Sequence, residues 1–182
     1  MARIFLSLTI LGTLLIGVAF FFGLNIGDPR EITQAKAVDT HMMLGLGGLM
    51  FATLIHAIVF TYFMGTGRWL EETSLAYKLP SSFHDESRQL KSRLLIKITG
   101  CLLLLILTGA MGAAADPASP VSFEGALKLS DSTVHLIVAS VAVLLNVLTG
   151  IAEFQSIERN GGIIEEVLGE VRRIRTEKGL PV

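Results

Sequence analysis

The chain has 182 residues, a formal net charge of −1 and a hydrophobic share of 51%. Its mean hydropathy of +0.62 is higher than a soluble domain of this length needs. The near-neutral charge, with no surface of interleaved basic and aromatic residues, argues against a nucleic-acid partner. A single cysteine and no CxxC or CxxCH motif exclude an intramolecular disulfide and argue against a structural zinc site or an attached c-type haem.

Four apolar runs are long enough to cross a hydrocarbon core, which takes roughly 20 helical residues. The first run is longer than the apolar part of a secretory signal and lacks a convincing cleavage site, so we expect a retained helix. The expected fold is all-α, an integral membrane four-helix bundle of up-down-up-down topology formed by residues 1–160. The predicted spans are about 4–24, 41–65, 94–114 and 134–154.

Local signals predict where the second and third helices begin and end. Residues 30–37 are expected to form a short amphipathic turn, after which Asp39 or Thr40 caps the second span. That helix should continue beyond its span until Pro80 stops it. The third helix should start shortly after Pro80, so that its first turns project into water before the span.

The fourth helix is predicted to begin at a cap in residues 130–133 and to end at Asn160-Gly161-Gly162. Residues 161–182 then form a separate amphipathic tail helix, because apolar residues recur there at a spacing of three and four. These apolar residues are Ile163, Ile164, Val167, Leu168, Val171 and Ile174.

The basic residues predict the orientation in the membrane. Twelve of the fifteen Lys and Arg residues lie at Arg3, between Arg68 and Lys97, or from Arg159 onward. By the positive-inside rule, both termini and the helical extensions are cytoplasmic, in an inner or equivalent membrane. Besides lipid, we expect a protein partner at loop 68–93 or at tail 163–178.

Two histidines mark the beginnings of the second and fourth spans. His41 and His135 share a depth near the outer surface, and the two spans face each other diagonally in the predicted bundle. Each histidine is followed by small residues on its own helix face. A flat macrocycle fits between two helices only where small side chains let the helix backbones come close to it. The small residues are Gly45, Gly48, Ala139 and Ala142.

With these residues the chain resembles the four-helix membrane cytochromes of b type, which take axial histidines from two diagonal helices. The resemblance implies one haem b held by His41 and His135 in a respiratory-type electron-transfer subunit. A second haem is not expected, because the fourth span presents Thr149 and Gly150 opposite His56.

Two other interpretations of these patterns stay open. Small-residue stripes also let membrane helices pack closely without any cofactor, which predicts an anchor, scaffold or assembly subunit of a larger complex. His41-Met42-Met43 together with His135 also suggests a soft copper site, although both methionines point away from His41 at helical spacing. No nucleophile motif or phosphate loop occurs, so enzymatic activity stays undecided beyond electron transfer.

The deeper part of the bundle is predicted to contain a polar cluster of His56, Thr149, Glu153 and Lys97, with Asn146 nearby. An ionisable group inside a membrane is costly and is a candidate for a functional site. The cluster is therefore either a proton path or quinone site, or a hydrogen-bond network that fixes helix register. Cys101 lies in an apolar run and is expected to be inert, since desolvation suppresses the thiolate.

Overall fold

The structure is a computed structural model that describes residues 2–123 and 128–181. Its regular secondary structure is all helical. Each of the four long helices is apolar and long enough to cross a membrane, so the predicted all-α membrane fold is confirmed at this level. The helices are α1 (Ala2–Leu24), α2 (Ala35–Tyr77), α3 (Ser82–Ala115) and α4 (Asp131–Glu177), and a 3-10 turn, Ile32–Gln34, precedes α2.

Each helix packs against the next, and α4 also packs against α1. Two contacts between α1 and α2 show how these helices lie against each other. Thus Gly12 lies against Ile55, whereas Gly23, near the end of α1, lies against His41 near the start of α2. The main apolar core between the helices consists of Phe5, Ile55, Val59, Phe63, Leu94, Ile98 and Ile157.

The start of α2 differs from the prediction. The helix begins at Ala35 after Gln34, so Asp39 and Thr40 lie inside it, and the prediction that either residue caps the second span is wrong. The Thr40 hydroxyl donates instead to the carbonyl of Lys36 at 2.8 Å. Such a bond to the residue four positions back is available only within a helix.

Two other helix ends confirm the predictions. After Tyr77, Lys78 adopts the left-handed conformation with φ 54°, and Pro80 follows two residues later. At the start of α4, the Ser130 hydroxyl accepts a hydrogen bond from the backbone N–H of Thr133 at 3.2 Å. This bond satisfies one of the free donors of the first helical turn.

Helix α4 does not end at Asn160-Gly161-Gly162, and that prediction is wrong. Asn160 is fully buried and acts as a tertiary hydrogen-bonding residue. Its carbonyl accepts from Ser87 Oγ at 2.7 Å, and its amide donates to Thr66 Oγ1 at 3.0 Å and to Tyr62 Oη at 3.1 Å. These bonds to α2 and α3 hold the backbone helical through two glycines whose own helix propensity is poor.

Beyond the apolar spans, α2, α3 and α4 continue as a bundle of three packed helices. Leu70, Ile163 and Val167 are each fully buried in a second apolar core. Ile163 and Val167 are therefore not free for lipid headgroups or for the partner expected at tail 163–178. The chain covers this apolar face itself, because α4 continues past Asn160 and packs against the extensions of α2 and α3.

An ion pair on the surface of this extension joins α3 to α4. The Arg159 guanidinium donates two hydrogen bonds to the Glu86 carboxylate, at 2.6 and 2.9 Å, and one to Glu166 at 3.0 Å. The hydrogen bond from Arg159 holds the pKa of the Glu86 carboxyl below its usual value. All three side chains are about half exposed. These ion pairs therefore orient α3 and α4 relative to each other but add little to the free energy of folding.

We expect Gly161→Ala and Gly162→Ala each to stabilise the protein by about 1 kcal/mol, because alanine is the better helix former. An added Cβ has open space at Gly161 and only an ordinary contact at Gly162. Gly150→Ala is the matched control on the same helix, and it should destabilise, since its Cβ would lie 2.9 Å from Thr9 Cγ2. Thermal unfolding in detergent measures all three; lowered midpoints for Gly161→Ala and Gly162→Ala would mean that α4 is not continuous there.

Candidate functional site

The structure brings His41 and His135 together near one end of the bundle. Their ring centroids lie 6.0 Å apart and their planes are inclined by 74°. Both residues are partly buried. The two rings therefore lie in an edge-to-face arrangement, with His41 also against α1 and His135 against α3.

Hydrogen bonding fixes the His41 ring. Its Nδ1 lies 2.8 Å from the backbone carbonyl of Ala19 in α1. A carbonyl can only accept, so Nδ1 carries the proton and Nε2 keeps its lone pair. A bond of this kind to a backbone carbonyl commonly orients a metal-binding histidine.

The His135 ring has an unsatisfied nitrogen. Its Nδ1 is buried and has no hydrogen-bond partner among the described residues. Leaving a buried polar atom unpaired costs on the order of 1–3 kcal/mol. The site therefore contains one imidazole oriented by a backbone carbonyl and one with an unpaired buried Nδ1.

Two glycines allow the helices to approach these rings. A Cβ on Gly23 would lie 2.7 Å from Cε1 of His41, and a Cβ on Gly112 would lie 3.1 Å from Cε1 of His135. The distance at Gly23 is too short for any side chain there unless the His41 ring moves. The distance at Gly112 is shorter than an ordinary van der Waals contact. Each imidazole thus rests against a glycine on the preceding helix.

The small residues predicted to lie below the histidines have different surroundings. Ala139 and Ala142 are buried, and a Cβ on Gly45 would meet open space. Gly48, by contrast, packs directly on Ile16, where a Cβ would lie 3.1 Å from Cγ1. Gly48 therefore serves the contact between α1 and α2, while Gly45 leaves space on its face of α2.

Deeper in the bundle, the structure brings His56 and Glu153 into direct contact. The Nδ1 atom of His56 lies 2.7 Å from Oε1 of Glu153, with the two residues 2% and 0% exposed. The second carboxylate oxygen of Glu153, Oε2, is buried without a partner among the described residues. An imidazole and a carboxylate therefore meet in the low-dielectric interior of the bundle.

The other side of the His56 ring faces Asn146 and Cys101. Its Nε2 lies 3.3 Å from Oδ1 of Asn146 and 3.5 Å from Sγ of Cys101. The role of Asn146 agrees with the prediction, whereas Cys101 was not predicted to take part. The thiol lies in the core, 2% exposed, and not in a purely apolar environment.

The predicted members Thr149 and Lys97 do not join this cluster. Thr149 is buried on α4 but makes no hydrogen bond to His56 or Glu153 within the described residues. Lys97 is exposed, and its predicted place in the cluster is wrong. The buried face of α3 runs through Leu94, Ile98 and Cys101, so α3 contributes a thiol in place of an ammonium group.

A small cavity adjoins the His56–Glu153 pair between α1, α2 and α4. It has room for about one water molecule. Its polar lining comes from Thr9, Thr13, His56, Asn146 and Glu153. The Thr9 hydroxyl is buried without a partner, as is Glu153 Oε2.

His41 and His135 together offer imidazole nitrogens, the donor type that haem iron takes as an axial ligand. The described residues contain no group of three or more His, Cys, Asp or Glu side chains placed to hold a metal ion.

Comparison of the chain with protein-family models, with curated proteins and with solved structures finds no match.

Proposed function

We propose that the protein is an integral membrane electron carrier that holds one haem b between His41 and His135. The observation that carries the proposal is the 6.0 Å separation of the two imidazole centroids. The absence of a CxxCH motif limits the cofactor to a non-covalent haem. When bound, haem supplies reversible one-electron chemistry at its iron.

The chain's own residues have separate roles in this proposal. The Ala19 carbonyl holds His41 in one tautomer and one orientation, and increases its strength as a ligand. Gly23 and Gly112 leave room for the rings, and Gly45 leaves space on the helix face below His41. Arg30 and Lys128 lie on the connections at the same end of the bundle and Lys36 lies in the first turn of α2, where they suit carboxylate groups such as propionates.

We further propose an up-down-up-down bundle with both termini in the cytoplasm, in an inner or equivalent membrane. The order of the helix contacts supports this topology, and the split of twelve basic residues against three supports the orientation. A partner at loop 68–93 or tail 163–178 would then bind the charged outer faces, because Ile163 and Val167 are buried.

The alternative function is a cofactor-free membrane anchor or assembly subunit. The contact of Gly48 with Ile16 favours it, because part of the small-residue stripe serves helix packing alone. In this alternative the two histidines lie near the end of their spans as polar residues only.

The proposed haem site predicts that His41→Ala and His135→Ala each abolish a low-spin haem spectrum, while His56→Ala keeps it. Absorption spectroscopy of the protein, expressed with haem supplied and then purified, provides the measurement. Gly23→Ala should also lose most of the haem, because its Cβ would lie 2.7 Å from His41 Cε1.

Gly17→Ala is the matched control for the glycine variant, since a Cβ there meets open space on the same helix. We expect its spectrum to equal that of the wild type. A wild-type protein without a Soret band in either redox state would refute the haem proposal and favour the anchor.

A further inference from the structure

We propose that His56, Glu153, Asn146 and Cys101 form a proton-binding site inside the membrane, served by a water molecule in the cavity beside Glu153. The proposal is independent of haem, because none of these side chains contacts the outer histidine pair. It goes beyond a network that only fixes helix register, and three features of the structure support it.

The first feature is that the His56 ring has a partner in both of its protonation states. The Glu153 carboxylate accepts from Nδ1–H in either state, at 2.7 Å. A neutral ring can accept the Cys101 thiol proton at Nε2, 3.5 Å away. A protonated ring can donate Nε2–H to Asn146 Oδ1 at 3.3 Å. A site built for one state alone would need only one of these two neighbours.

The second feature is the unused oxygen of Glu153. Oε2 is buried without a protein partner, and so is the hydroxyl of Thr9 across the cavity. Helical threonines such as Thr53 and Thr108 donate to the carbonyl four residues before them, whereas the Thr9 hydroxyl is unpaired. A water in the cavity would satisfy both oxygens, because buried waters typically make about three hydrogen bonds.

The third feature is the charge balance. In the described residues that line the cavity or contact the pair, α1 contributes no titratable group, α2 contributes His56, α3 Cys101 and α4 Glu153. With neutral His56, neutral Cys101 and ionised Glu153, the site carries one uncompensated negative charge. One added proton brings the site to zero, which the low-dielectric interior favours.

The added proton is held at the Glu153 end, on Oε2, and the hydrogen bond from His56 Nδ1 to Oε1 stays in place. The cavity water or the Thr9 hydroxyl accepts a hydrogen bond from that proton. The cavity water relays the proton from bulk solvent, receiving one proton as it passes another on, so no hydroxide is left behind and no redox partner is needed.

The test is an infrared titration of the protein reconstituted in lipid vesicles, with Thr9→Val as the informative variant. The wild type should show a carboxylic-acid band that appears and disappears reversibly with pH. Thr9→Val removes an acceptor for the proton of the protonated carboxyl and so disfavours that form, and the titration midpoint should move down by about one pH unit. Glu153→Gln should remove the band, which assigns it.

Thr53→Val is the matched control, because its hydroxyl is exposed and bonds only to the carbonyl of Leu49. Its midpoint should equal that of the wild type. A wild type with no pH-dependent carboxyl band, or an equal midpoint in Thr9→Val, would overturn the proposal. A band that follows Na⁺ concentration at constant pH would also overturn it, since the cavity would then bind a cation.

Discussion

His56→Leu is expected to lower the free energy of unfolding by about 3–5 kcal/mol, while the double variant His56→Leu, Glu153→Leu recovers most of that loss. The single change removes the only hydrogen-bond donor that contacts the Glu153 carboxylate in the described residues. The remaining carboxylate must then stay buried unpaired or take up a proton. The double change leaves two apolar side chains of similar volume, which the core can accommodate.

Reversible unfolding in mixed micelles of detergent and SDS measures these differences. The exposed pair Arg68–Glu72 provides the control, because its atoms lie 2.8 Å apart, against 2.7 Å in the buried pair, but its side chains are 81% and 62% exposed. Arg68→Leu should change the stability by less than about 1 kcal/mol. A cost for His56→Leu no larger than this control would contradict the buried pair.

The sequence predicts the number and approximate position of the membrane helices because hydropathy and proline act locally. Each span is a long apolar run, and Pro80 follows the end of α2 as expected. The closeness of His41 and His135 was also predictable in outline, since the two residues begin matching small-residue stripes. The contact of His41 with the Ala19 carbonyl was not, because nothing in the pattern of α1 marks that carbonyl.

The composition of the buried cluster was harder to predict for a physical reason. In a membrane helix both the lipid face and the core face are apolar, so hydropathy does not distinguish them. Lys97 and Cys101 lie one turn apart on α3, and only packing decides that the thiol is inside. The one local signal for Cys101 was its position directly before the aliphatic run 102–107.

The continuity of α4 shows tertiary contacts overriding local propensity. Asn-Gly-Gly is typical of a helix end, because asparagine and glycine tolerate left-handed backbone and favour turns. Here Asn160 has its amide and carbonyl satisfied by three side chains from α2 and α3. Those partners lie 73 to 98 positions away in the sequence, so a local pattern could not reveal them.

Asn160→Leu is accordingly expected to destabilise the protein by about 2–4 kcal/mol, although leucine is the better helix former. The substitution leaves the Ser87 hydroxyl, 1% exposed, without its acceptor. It also removes two hydrogen bonds that tie α4 to α2. The loss should be greatest where α2, α3 and α4 extend beyond the apolar spans, because Asn160 lies at the base of that bundle.

Hydrogen exchange followed by mass spectrometry locates the effect, and unfolding in mixed micelles gives its size. In Asn160→Leu, exchange should accelerate in residues 82–93 and 160–170 and stay unchanged around His41. Asn25→Leu is the control, since Asn25 is exposed and its side chain bonds only to the carbonyl of Phe21, at 2.7 Å. Equal stability in the two variants would mean that Asn160 does not hold the extension together. A large loss of stability in Asn160→Leu alone would instead show that the buried side chain of Asn160 keeps α4 helical across Gly161 and Gly162. The same side chain would then join the extension to the membrane bundle.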